Sequence, residues 1–137
     1  MNQNSLIEFP FFDNKKGLLV MMQSVLVDAE KKLPFEIKRV LVMKGMSKDD
    51  ARGGHTHHKT RQVLLAISGS CAVDLDNGIE KNTVFLNKFN QGVLLEPYMW
   101  HVMRDFSPDT ILLVLADTEY DEADYIRNYD DFLKFLK

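Results

Sequence analysis

Between Phe35 and Ala116 the chain is punctuated at short intervals by residues that turn or break regular backbone, at Gly45, Gly53-Gly54, Ser68-Gly69-Ser70, Asp76-Asn77-Gly78, Asn90-Gln91-Gly92, Pro97 and Ser107-Pro108-Asp109. Few segments between them exceed about ten residues, so long helices are excluded from the middle of the chain. The intervening runs are rich in Val, Ile, Leu and Phe, the pattern of many short strands in an all-β sandwich or barrel. Asp76-Asn77-Gly78 separates Ala72-Val73-Asp74-Leu75 from Thr83-Val84-Phe85-Leu86, and its residues tolerate the positive φ of a tight hairpin turn.

From Tyr120 onward the pattern changes. Tyr125, Ile126, Tyr129, Phe132, Leu133 and Leu136 recur at three- and four-residue steps, with acids crowded ahead of them. The spacing predicts a C-terminal amphipathic helix over about 121–136, capped by Asp121 with Asp124 in its first turn. No Gly/Ser linker, low-complexity segment or solenoid period divides the 137 residues. One domain is expected over 1–137, with a barrel over about 5–117.

Charge and cysteine content narrow the function classes. Seventeen Lys plus Arg against 20 Asp plus Glu give a formal net charge of -3, without the basic excess that drives bulk nucleic-acid binding. The apolar runs are far shorter than the roughly 20 residues of a spanning helix, so no membrane partner is expected. A single cysteine, Cys71, cannot form an internal disulfide, and Met1-Asn2-Gln3-Asn4-Ser5 lacks the basic start of a secretory signal. A cytoplasmic protein is expected. Cys71 and Met21-Met22 read as strand packing.

Three of the four histidines fall within Arg52-Gly53-Gly54-His55-Thr56-His57-His58. On an extended segment His55 and His57 point to one side and His58 to the other. His101, after Pro97-Tyr98-Met99-Trp100, opens a further strand that in a folded-back barrel faces the same interior. An unperturbed imidazole, with a pKa of about 6.5, suits proton transfer at neutral pH.

This frame, a Gly pair before His55, then Gln62, Gly69, Gly92, Pro97 and His101, resembles the two motifs of the cupin (jelly-roll) β-barrel superfamily. The metal-binding members carry a glutamate where this chain has Gln62. An amide oxygen is a weaker, neutral ligand for a divalent cation, so no metal is expected.

More closely, the chain resembles the sugar-nucleotide 3,4-ketoisomerases, metal-independent cupins acting on dTDP-4-keto-6-deoxy-glucose. The resemblance runs from Pro34-Phe35-Glu36-Ile37-Lys38-Arg39-Val40 through Arg52-Gly53-Gly54-His55-Thr56-His57, Gln62-Val63-Leu64, Ser68-Gly69-Ser70, Trp100-His101 and Asp105-Phe106-Ser107 to Tyr120-Asp121-Glu122-Ala123-Asp124-Tyr125-Ile126-Arg127. It departs where relatives carry tyrosines and this chain has Leu41-Val42-Met43, and where a lysine follows their second histidine and this chain has His58.

The resemblance implies an isomerase without cofactor that moves a ketone from C4 to C3 through an enediol in deoxyamino-sugar biosynthesis for surface glycans such as O-antigen or S-layer chains. It also implies a homodimer, with exchange of N-terminal strands as one way of covering exposed edges. His55 is then the principal acid–base group, and His57 shares the transfer or relays protons. Arg52 or Gln62 supplies a donor to the enediolate.

The stretch from Lys38 to Arg61 holds seven basic residues against Asp49 and Asp50. Arg39 and Arg52 are the first candidates for the diphosphate, with Arg104 and Arg61 behind them. Trp100 and Phe106 fit either a barrel core or a stack on the thymine. His101 completes the substrate-binding set. The competing readings are a dTDP-sugar 3,5-epimerase, a metal-dependent cupin and a non-catalytic sugar-nucleotide-binding cupin.

Overall fold

The computed structural model describes residues 5–14, 16–23 and 33–137. Among these described residues, twelve strands and one α-helix follow in chain order: β1 (Leu6–Glu8), β2 (Phe11–Asn14), β3 (Gly17–Val20), β4 (Arg39–Lys44), β5 (Arg52–His57), β6 (Gln62–Ser68), β7 (Cys71–Asp76), β8 (Lys81–Leu86), β9 (Gln91–Leu95), β10 (Trp100–Arg104), β11 (Ile111–Ala116), β12 (Tyr125–Ile126) and α1 (Tyr129–Phe135). They form two five-stranded sheets, β1-β9-β6-β11-β4 and β12-β5-β10-β7-β8, and a separate β2-β3 hairpin. The expected all-β jelly-roll is present, as two facing sheets with no ladder closing them into a continuous barrel among the described residues.

The main core lies between the sheets and contains Leu64, Ala66, Val73, Leu75, Val93, Met103, Phe106 and Leu112. A second cluster of Ile7, Phe9, Leu33, Val63, Leu65 and Leu115 lies against the other face of β6 and β11. Five consecutive residues of β6, Gln62 to Ala66, are therefore buried. A strand covered on both faces reads as a continuous apolar run instead of an alternation. Met22 packs on the second cluster, while Met21 is exposed. Cys71 and Phe106 are in the main core.

The expected hairpin joins β7 to β8, with Gly78 at φ +89°. The expected break at Gly53-Gly54 is instead inside β5. Against β10 the register shifts between His101↔His55 and Val102↔Gly53, leaving one extra residue on β5, a bulge that glycine permits because both Gly53 and Gly54 have positive φ.

The C-terminal segment corrects the expected helix over 121–136. Asp121 caps only a short 3-10 turn, Glu122–Asp124, through its side chain on the Ala123 N–H. Tyr125 and Ile126 then pair with His57 and Thr56 of β5 as strand β12. The α-helix begins at Tyr129, where the Asn128 side chain accepts from the Asp131 N–H. Tertiary bonds override the helical periodicity: the buried Asp124 carboxylate accepts from the Lys59 N–H and the Thr60 hydroxyl, holding the backbone extended beside β5.

Candidate active site

Between the two sheets lies an open cavity of about 350 Å³ lined by Arg52, His55, Gln62, His101, Tyr125 and Arg127, with Leu41, Met43, Leu64, Leu95, Met103 and Val114 as apolar walls. Strand parity places most of these. Gln62 and Leu64 share one face of β6, Leu41 and Met43 one face of β4, and His101 and Met103 one face of β10. Arg52 and His55 are an odd number of residues apart and would face opposite sides of a regular strand. The Gly53-Gly54 bulge reverses the phase between them and brings both to the cavity. Val42, between Leu41 and Met43, is turned outward and exposed. The β4 wall of the cavity, Leu41 and Met43, is thus apolar.

The imidazoles cluster as the alternation predicts. His55 and His57 meet edge to face at 5.2 Å, His55 and His101 at 4.8 Å, and His57 stacks on His101 at 6.4 Å. Tyr125 covers both β5 histidines, at 5.1 Å from His55 and 4.4 Å from His57. His58 turns away, its Nδ1 2.9 Å from the Tyr98 hydroxyl and its ring against Phe135. His101 Nδ1–H donates to the Met99 carbonyl at 3.0 Å, which leaves Nε2 as the basic nitrogen of the neutral ring.

Burial, reinforced by His101, His57 and Arg127, lowers the His55 pKa to about 3. Burial and His101 lower His57 to about 4, against the opposing charge of Asp124. Burial also lowers His101. The imidazoles are therefore neutral bases at pH 7, unlike the unperturbed groups expected from sequence.

Arg39 reaches inward from β4, donates from Nη1 to the Tyr125 hydroxyl at 3.3 Å, and has a buried Nε without a hydrogen-bond partner. Arg52 donates to the Met43 sulfur at 3.2 Å. Arg127 stands 4.2 Å over the Tyr125 ring, and its Nε and Nη2 donate to Glu122 at 2.7 and 3.0 Å.

The structure brings His55, Arg52, Gln62 and His101 to one cavity, with His57 packed beside them. Trp100 and Arg104 are not brought there. Both alternate with His101 along β10, so their side chains take the opposite face. Trp100 packs on Tyr129 and Phe132, and Arg104 forks onto Asp74 at 2.6 and 3.0 Å. Arg61 pairs with Glu96 and with the Pro34 carbonyl. Tyr125 and Arg127, which fall within the helix expected over 121–136, are the site residues that sequence periodicity missed. The signal that marks them is the Tyr120 to Arg127 motif itself.

Among the described residues, no helix is long and apolar enough to cross a membrane. The profile of the family described as FdtA: WxcM-like, C-terminal matches residues 2–137. The chain is 39% identical over 134 residues, 98% of its length and 93% of the relative's, to a TDP-4-oxo-6-deoxy-alpha-D-glucose-3,4-oxoisomerase of Aneurinibacillus thermoaerophilus. Its fold matches a histidine-to-asparagine variant of the 3,4-ketoisomerase QdtA from Thermoanaerobacterium thermosaccharolyticum, in complex with TDP-4-keto-6-deoxyglucose. That match has a TM-score of 0.90 at 37% identity, covering 98% of this chain and 95% of the other. The rmlC epimerase of Mycobacterium tuberculosis, at 13% identity and TM-score 0.71 over 91% of this chain and 69% of its own, shares the fold alone. With that profile spanning residues 2–137 and a relative 39% identical over 98% of its length, the chain belongs to the FdtA, WxcM-like family of isomerases.

Proposed function

We propose that this chain converts dTDP-4-keto-6-deoxy-glucose to a dTDP-3-keto-6-deoxy-hexose, with His55 and His57 as its proton-transfer groups. The observation that carries the reading is the meeting of neutral His55, His57 and His101 beside one cavity between the sheets. Neutral His55 accepts the C3 proton, acidified by the adjacent C4 ketone, while the electron pair moves onto the C4 oxygen. Arg52 or Gln62 donates to the enediolate oxygen that forms. Protonation of that oxygen, loss of the proton from the C3 hydroxyl and delivery of a proton to C4 leave the ketone at C3. C3 is oxidised as C4 is reduced, so the electrons balance within the sugar.

A lowered imidazole pKa suits the return half of this cycle, because an imidazolium so formed is a strong acid beside C4. Binding a diphosphate raises that pKa and makes His55 a better base when substrate is present. Arg52 and Arg39 are the cations assigned to the nucleotide, and His101 the third imidazole facing the sugar.

A cytoplasmic homodimer in deoxyamino-sugar biosynthesis completes the proposal. Exposed Val40 and Val42 on edge strand β4, with Phe11, Phe12 and Leu18 on the β2-β3 hairpin, supply apolar surface for a second subunit. β1 pairs with β9 of its own chain. Sedimentation at micromolar concentration checks the dimer, and a monomer would contradict it.

The activity is tested by incubating the protein with dTDP-4-keto-6-deoxy-glucose in heavy water and following the sugar by proton NMR. A 3-keto product with deuterium at C4 is expected. Exchange at C5 with the ketone retained at C4 would assign a 3,5-epimerase, and dTDP binding without exchange would assign a binding protein.

A further inference from the structure

The short turn Glu122–Asp124, just ahead of β12, does more than lead into that strand. Asp124 is 5% exposed; its N–H donates to the Asp121 carbonyl at 3.0 Å, and its carbonyl and both carboxylate oxygens are used on the loop that follows His57. Its carbonyl accepts from the His58 N–H at 2.9 Å. One carboxylate oxygen accepts from the Lys59 N–H at 2.8 Å, and the other from the Thr60 hydroxyl. Thr60 spends its single hydroxyl proton on Asp124, so Thr118, 2.7 Å away, donates to Thr60. A chain from Thr118 through Thr60 to Asp124 results, with the next residue, Tyr125, paired in register with His57.

We propose that Asp124 is a positioning residue for His57: its buried carboxylate clamps the loop leaving β5, seats Tyr125 against the imidazole and keeps a negative charge within electrostatic range of the ring. This rests on the ketoisomerase reading for its consequence in turnover. Ionised carboxylates are rarely buried without such donors, because desolvation is otherwise too costly. Burial pushes the Asp124 pKa up, but the Thr60 and Lys59 hydrogen bonds outweigh it and hold the carboxyl below its ordinary value. The charged and titratable groups around His57 are His55 of β5, His101 of β10, Tyr125 of β12, Arg39 of β4, Arg127 and Asp124. Asp124 is the acid in that set, and its charge opposes the depression of His57 by burial, His101, Arg39 and Arg127.

Asp124→Asn keeps the shape and removes the charge. Imidazole NMR of the ligand-free full chain should show His57 titrating at lower pH in the variant than in the wild type. Under the ketoisomerase reading kcat falls about tenfold or more with KM within about twofold, because a weaker base slows proton transfer without altering sugar contacts. Where Asp124→Asn does not fold, Asp124→Ser supplies the same neutralisation in a smaller side chain. An unchanged His57 titration in a folded neutral variant overturns the proposal, including when kcat falls only in step with the folded fraction. Wild-type protein without turnover, but with an Asp124-dependent His57 titration, overturns the ketoisomerase reading and supports this one.

Discussion

His55 and His101 are register partners across the β5-β10 ladder, and their rings meet edge to face at 4.8 Å. This approach depends on Gly53, which has φ +86° and where a Cβ would stand 2.8 Å from the His101 carbonyl oxygen and 3.3 Å from the Met103 sulfur. Gly53→Ala combines backbone strain with a clash against backbone, so a loss of about 2 kcal/mol or more is expected, with reduced turnover. Gly54→Ala, at φ +71° with nothing within 4 Å, carries the strain alone, about 1 kcal/mol. Urea denaturation of the two variants checks the order.

The lowered imidazoles make stability depend on pH. His55 and His57 titrate near 3 and 4 in the folded chain but near 6.5 when unfolded. Between these values the unfolded chain binds more protons, so stability is complete above about pH 6.5 and is lost as pH falls toward 4. Each such histidine contributes a slope of about 1.4 kcal/mol per pH unit in that window. Denaturation midpoints from pH 7 to 4.5 should fall steeply, and His57→Gln should flatten the slope. A flat wild-type profile would contradict the buried neutral imidazoles.

His55→Asn removes the proposed base while keeping a polar side chain of similar reach. Turnover should fall by about 10²- to 10⁴-fold, the range set by loss of a general base, with dTDP affinity within about twofold. Coupled NMR turnover and calorimetric titration measure both. Unchanged turnover would remove His55 from the mechanism.

Arg52 and Arg104 separate the cavity from the outer face. Arg52 lines the cavity beside His55, whereas Arg104 is committed to Asp74 on the opposite side of β10. Arg52→Ala should weaken dTDP binding about tenfold, as expected for loss of a charge-assisted phosphate contact. Arg104→Ala should leave it unchanged. Equal effects of the two substitutions would place the nucleotide elsewhere.

The breaker spacing, the Asp76-Asn77-Gly78 hairpin and the inward pair His55 and His57 were legible in the sequence, because turn chemistry and strand alternation are local. The same alternation already set Trp100 and Arg104 on the face opposite His101, a consequence obscured by reading all three as one binding group. The helix over 121–136 failed for a different reason. Tyr125 and Ile126 carry helical spacing, yet their backbone pairs with β5 and Asp124 is bound to Lys59 and Thr60. Those partners are more than sixty residues distant in the chain.

By itself the sequence determined the all-β class and the identity of the histidines, which follow from neighbours within a few residues. Only the tertiary structure decided which arginines, Arg52 and Arg127, line their cavity, which tyrosine covers them and how far their proton affinity drops. Bulge phase, cross-strand register and burial are properties of segments brought together from far apart, and no local pattern encodes the desolvation that results.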